Sequence, residues 1–183
     1  MSELADTSEV PETIETARLI LRKPMLEDAE EMFEAYASDP EVTRYLTWVT
    51  HTSVDETRDY LRRAVAGWEK SDTFTWVISL KATLGLIGSI DIRLETNANI
   101  GYVLSRPFWN RGYMTEAVEA LVRWALQTDE IFRAWAVCDV ENVASARVLE
   151  KAGMEREGIL RRWIVLPNRS SKPRDCVCYS KVK

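Results

Sequence analysis

From residue 73 to residue 95 apolar and polar side chains alternate with a period of two. Phe74, Trp76, Ile78 and Leu80 interleave with Thr73, Thr75, Val77 and Ser79. After a turn near Gly85, Ile90, Ile92 and Leu94 interleave with Ser89, Asp91, Arg93 and Glu95. Successive side chains of a strand point to opposite faces, so the pattern predicts an antiparallel meander with one wetter face, continued by a third strand over 100–104. Upstream the period is helical. Leu26, Ala29, Met32, Phe33 and Tyr36 predict a helix over 26–37, broken at Asp39-Pro40. Ser53 and Glu56 form an S-x-x-E capping box for a second helix, whose inner face is Val54, Leu61, Val65 and Trp68. A strand over 18–23 precedes both and ends at Pro24.

Downstream, a glycine-containing loop over 109–112 opens into a helix reaching about Gln127, with Ala117, Val118, Leu121, Val122 and Ala125 as its apolar stripe. A strand over 132–139 reads as buried on both faces. Asn142 caps a short helix that stops at Gly153, and strands over 159–165 and 175–182 complete the sheet. Strand, helix and strand between Ile100 and Asp139 make a βαβ unit, parallel and right-handed. The fold class is α+β: a mixed, mostly antiparallel sheet of about seven strands with about four helices. Residues 17–183 form one domain, and the acidic, polar stretch 1–16 is expected to be a flexible tail.

Composition narrows the function classes. The chain has 183 residues, 46% of them hydrophobic, enough for one domain with a full core. A net charge of −5 argues against direct nucleic-acid binding, which needs a basic stripe. No apolar run approaches the ~20 residues that span a bilayer, and the N-terminus has no signal-like apolar core, so a cytoplasmic protein is expected. Cys138, Cys176 and Cys178 are odd in number and lack a C-x-x-C pair. They read as buried free thiols, with no metal site.

The candidate chemistry lies in Asn110-Arg111-Gly112-Tyr113-Met114-Thr115, which leaves a strand and opens a helix. Unpaired N–H groups and the positive end of the helix dipole suit phosphate oxygens, and Gly112 lets the main chain approach a ligand. Arg111 and the Thr115 hydroxyl add donors. Alone, one glycine before a helix equally marks a plain turn. Likewise Asn142-x-x-Ser145-x-x-x-x-Glu150-Lys151-x-Gly153-Met154 alone is a capped amphipathic helix.

In combination and in order, Phe108-Trp109-Asn110-Arg111-Gly112-Tyr113-Met114-Thr115-Glu116-Ala117 and the Asn142–Met154 motif resemble the GNAT N-acetyltransferases, in particular the branch that contains the RimJ/RimL ribosomal-protein N-terminal acetyltransferases together with many relatives of other substrates. Arg18-Leu19-Ile20-Leu21-Arg22, Leu26-Glu27-Asp28-Ala29 and Asp175-x-x-x-Tyr179-Ser180 extend the likeness over nearly the whole chain. The resemblance implies acetyl-CoA as co-substrate, without a metal. It places the pantetheine arm on the backbone of Tyr102, Val103 and Leu104, and the pyrophosphate on Arg111, Gly112, Tyr113, Met114 and Thr115. Asn142 and Ser145 fall beside the sulfur, and Lys151 toward the nucleotide phosphates. Two departures stand out. Trp109 and Met114 replace the outer positions of Q/R-x-x-G-x-G/A, so the larger Met114 side chain is expected to narrow the phosphate site. Asn99 stands where many relatives have a Glu before Ile-Gly-Tyr, and an amide cannot take a proton.

The expected reaction is direct attack by a primary amine, either a protein N-terminal α-amine, such as that of a ribosomal protein, or a small-molecule amine. The N–H of Val103 or Leu104 polarises the carbonyl, and Ser145, or else Tyr102, donates to the thiolate. His51, the sole histidine, is the candidate base, with an ordinary core or surface histidine as the alternative. Asp91 and Glu95 lie on a polar strand face that equally suits solvated carboxylates. Trp48, Trp109 and Trp163 offer an aromatic acceptor wall. A non-catalytic acyl-CoA-binding regulatory module is the competing reading, and either a monomer or a homodimer is compatible with the chain.

Overall fold

The computed structural model describes residues 10–71 and 73–183. Eight strands form one sheet in the order β1-β2-β3-β4-β5-β6-β8-β7: β1 Thr13–Glu15, β2 Leu19–Arg22, β3 Thr73–Leu80, β4 Leu86–Leu94, β5 Ala98–Leu104, β6 Arg133–Asp139, β7 Glu155–Ile164 and β8 Arg174–Val182. Among the described residues only β5 and β6 run parallel; every other neighbouring pair is antiparallel. Thr13–Glu15 lies inside the stretch expected to be a tail and pairs with β2 as an edge strand, which Trp76 pins by donating its indole N–H to Pro11 O at 2.9 Å. The first nine residues of that stretch lie outside the described residues.

The helices are α1 Ala29–Met32, α2 Pro40–Thr43, α3 Val54–Lys70, α4 Tyr113–Gln127 and α5 Val143–Lys151. The predicted helix over 26–37 changes winding along its length: a 3-10 turn Leu26–Asp28 enters α1, and a π turn Phe33–Ala37 leaves it. The wider π turn brings both Tyr36 and Ala37 into the core, while Leu26 at the other end is exposed. Asp39 does end that helix, but it also starts α2 by accepting the Glu41 N–H. The α3 capping box is only half made. Glu56 reaches back to the Thr52 N–H at 2.6 Å, and the Ser53 side chain makes no cap bond.

The meander has no wet face along β3. Phe74, Trp76 and Ile78 pack with Leu19, Leu21, Ile90 and Ile92 beneath α4, while Val77 packs with Ala29, Met32 and Leu61 of α1 and α3 on the other face. Thr75, Ser79 and Ser89, which produced the polar half of the alternation, are buried under the first helices, where Ser89 Oγ takes a hydrogen bond from the Tyr36 hydroxyl at 3.1 Å. The polar positions mark a buried seam. β6, expected to be buried on both faces, is not. Ala134, Ala136 and Cys138 face α4 and α5, but Trp135 and Val137 are only half-buried, because no helix of the described residues covers that side. The strand also begins one residue later than expected, leaving Phe132 exposed.

Candidate active site

The entrance to α4 is shaped by backbone. Gly112 is its N-cap in the left-handed region (φ 76°), Asn110 is also left-handed (φ 58°), and no side chain caps the first turn. The first-turn N–H groups therefore face outward beside the exposed Arg111. Met114 does not narrow this site, contrary to expectation: its side chain is buried in the core under α4, and only its backbone belongs to the turn. Thr115 is half-buried on the same turn.

Arg18, at the head of β2, holds this loop in place. Its guanidinium donates to Arg111 O at 3.0 Å and to Glu116 Oε2 at 2.6 Å, and it lies 4.4 Å from the centre of the Tyr113 ring. Glu116 also accepts from the Thr16 hydroxyl and the Arg18 N–H. Burial alone would push the Glu116 carboxyl up, but these hydrogen bonds and the Arg18 charge hold it below the usual range.

Next to the loop the sheet opens. β5 and β6 pair at Ala98–Ala134 and Asn99–Trp135, so from Gly101 to Leu104 the β5 edge facing β6 has no partner strand among the described residues. Which amides face this gap follows from alternation. Ser105 N donates to Ile87 O at 2.8 Å, directing residue 105, and with it residue 103, toward β4; a methyl built on Gly88 of β4 would sit 2.3 Å from Val103 O. Tyr102 and Leu104 therefore present their backbone groups to the gap, and Val103 does not. This corrects the placement of Val103 among the arm-binding and carbonyl-polarising amides. Leu104 O is already occupied by the Trp109 indole N–H at 2.7 Å, so Trp109 closes the far end of the gap.

At the start of α5, Asn142 caps the helix by accepting the Ser145 N–H at 3.2 Å. The Ser145 hydroxyl meets the Tyr102 hydroxyl at 2.7 Å. Both belong to the α4–α5 face of the gap, and burial raises the Tyr102 phenol well above its ordinary value. Cys138 shares this face, and burial pushes its thiol up to about 11, so it stays protonated and is a poor nucleophile. Cys176 and Cys178 are likewise buried free thiols. Lys151 is exposed at the opposite end of α5, about 9 Å along the helix from Ser145.

A family pattern described as Acetyltransferase (GNAT) domain matches residues 18–155. The uncharacterized N-acetyltransferase YoaA of Bacillus subtilis (strain 168) is 31% identical over 93% of this chain and 96% of its own length. The chain belongs to the GNAT acetyltransferases. A GNAT-family acetyltransferase from Bacillus anthracis superposes with a TM-score of 0.81 at 27% identity, covering 93% of this chain and 98% of that one. RimL, a ribosomal L7/L12 alpha-N-protein acetyltransferase solved with coenzyme A, has the same fold: TM-score 0.81, 21% identity, 93% and 98% coverage.

As a GNAT acetyltransferase the protein takes its acyl group from acetyl-CoA, and its residues fit that donor. An open strand edge suits the amide-bearing pantetheine arm, and two left-handed residues leading into an uncapped helix suit the diphosphate. On the sheet face away from Ser145, residues of β4 to β8 and the β4–β5 turn enclose a cleft of about 490 Å³ lined by Arg93, Asn99, Trp135, Ile159, Leu160 and Trp163, among others. Of the proposed aromatic wall only Trp163 lines this cleft, joined by Trp135. Trp109 is at the gap, and Trp48 packs against His51 with ring centres 4.8 Å apart and the planes tilted by 39°.

His51 is not brought to the Tyr102–Ser145 pair. Its Nδ1 lies 2.8 Å from the Thr57 hydroxyl, and burial lowers its pKa. Three features escaped the sequence reading: the Arg18–Glu116 clamp, the Trp109 bond to Leu104, and Asp91 opposite Gly101. The last left a signal, since Gly101 interrupts β5 where the neighbouring strand carries a carboxylate. A methyl on Gly101 would sit 2.9 Å from Asp91 Oδ2.

Proposed function

We propose that this acetyltransferase modifies a primary amine held in the Trp135–Trp163 cleft, by direct attack on the thioester lying in the β5–β6 gap. The contact between the Tyr102 and Ser145 hydroxyls carries the assignment of roles. Ser145, with Tyr102 behind it, protonates the departing thiolate from the α4–α5 face, the Leu104 N–H polarises the carbonyl from the strand edge, and the amine arrives from the opposite face. Asn142 and the α4 entrance residues Arg111, Gly112, Tyr113, Met114 and Thr115 bind the donor. Lys151 fits less well, because it lies two turns from the sulfur end.

A polypeptide α-amine is the acceptor class best supported. The cleft sets Trp135, Trp163, Ile159 and Leu160 beside the polar Asn97 and Asn99 and the charged Glu95 and Glu157, a mixture that suits a side chain and an amine together, and the fold is shared with an enzyme named for α-N-protein acetylation of ribosomal L7/L12. Release of free thiol from acetyl-CoA in the presence of N-terminal peptides tests this. Ser145→Ala is expected to lower kcat by about 100-fold while calorimetric affinity for CoA holds. An unchanged kcat would remove the thiolate role.

A further inference from the structure

We propose that Asp91 takes the proton from the acceptor amine. The assignment rests on the direct-attack mechanism above and comes from geometry on the acceptor face. Asp91 pairs with Gly101 across β4 and β5, and only the missing side chain at Gly101 leaves room for the carboxylate to lie over β5. Gly101 is where β5 loses β6 as a partner, so the carboxylate stands beside the mouth of the gap, one residue from Tyr102. Ser145 and Tyr102 occupy the other face. A thioester in the gap thus has an acid on one side of the sheet and a base on the other, as attack and departure require.

The other candidates on this face fail on position or chemistry. Asn99 is an amide. Glu157 is held down at about 2 by hydrogen bonds from Arg133 and Ser180. Glu95 lines the cleft from the turn just beyond β4, about 13 Å along the chain from Asp91. His51 reaches the neighbourhood only through Trp48, which contacts both His51 and Tyr60.

The groups facing Asp91 are few: Arg93 on its own strand, and Tyr36 and Tyr60 from the helical layer. Both phenols are pushed far above neutrality by burial, so neither competes for the proton. Burial, partly offset by the Arg93 charge, raises Asp91 to about 6, nearer the working pH than an ordinary carboxylate and still ionised at neutral pH.

The protons balance. The ammonium gives one proton to Asp91, and its lone pair forms the C–N bond as the C–S bond breaks. The nitrogen releases a second proton to water on becoming an amide, the thiolate takes one from Ser145, water reprotonates Ser145, and Asp91 returns its own proton to water, so that one proton is released overall.

Two acceptors test this: phenethylamine, which is cationic at neutral pH, and hydroxylamine, which is neutral there and needs no base. In Asp91→Asn, kcat/KM for phenethylamine should fall about 10²–10⁴-fold. The deficit should shrink about tenfold per pH unit as the amine deprotonates itself, and transfer to hydroxylamine and affinity for CoA should hold. Equal losses with both acceptors, or no loss with phenethylamine, would overturn the assignment. Wild-type turnover tests the functional proposal by itself, so the two fail separately.

Discussion

Asp91 illustrates how a single side chain can be costly to the fold and useful to it. Among the described residues neither a hydrogen bond nor an ion pair holds its carboxylate, and its folded pKa, about 6, lies above the reference value of 3.8. The folded state therefore binds the proton more tightly than the unfolded chain does. Below the unfolded value both states are protonated and the group costs nothing. As pH rises through the interval, the unfolded chain ionises first and stability falls, until the penalty is complete above the folded value. A shift of about two units corresponds to at most about 3 kcal/mol. Asp91→Asn keeps the shape and cannot ionise. It should raise stability by about 1–3 kcal/mol at neutral pH and leave it unchanged near about pH 3, as read from denaturant midpoints. A variant no more stable at neutral pH would show that the carboxylate is well solvated, which would also weaken its case as a base.

At the scale of elements, the loop before α4 depends on a strand far away in sequence. Arg18 is nearly half exposed, and an ion pair in that setting adds little stability, about 1 kcal/mol or less. What Arg18 fixes is the direction of the Arg111 carbonyl and hence of the amides that follow it. Arg18→Ala should therefore raise the CoA dissociation constant about tenfold, about 1.4 kcal/mol, with little change in melting temperature or in kcat at saturation. Calorimetry beside thermal melting separates that outcome from a plain loss of stability. The same elements show how much could be read beforehand. The α4 stripe, the Asn142 cap and the parallel β5–β6 pair were legible because each is local: a period, a capping residue, a strand–helix–strand order. The polar half of the β3–β4 alternation misled, since Thr75, Ser89 and Asp91 look the same from sequence whether water or a helical layer covers them. Arg18 joining Glu116 spans 98 positions, and no local pattern carries a contact of that kind.

For the molecule as a whole, the gap divides the sheet into β1–β5 and β6–β8, which share two residue pairs and the α4–α5 layer. A ligand in that gap replaces the missing strand contacts and links the two halves. Its binding energy should then appear as global stability, about 2.7 kcal/mol at a hundredfold excess over Kd. The alternation derived from Ser105 and Ile87 makes the effect specific to single amides. Tyr102 and Leu104 face the gap, so their N–H groups should exchange rapidly in the free protein and slowly with CoA bound. Val103 faces β4 and should be slow in both states. Hydrogen exchange followed by NMR at these three positions resolves the pattern. Protection gained by Val103 but not by its neighbours would mean that the register, and with it the strand-like seating of the pantetheine arm, is off by one residue. That same slip would move the carbonyl-polarising amide from Leu104 to Val103 and turn the thioester away from the Ser145 hydroxyl.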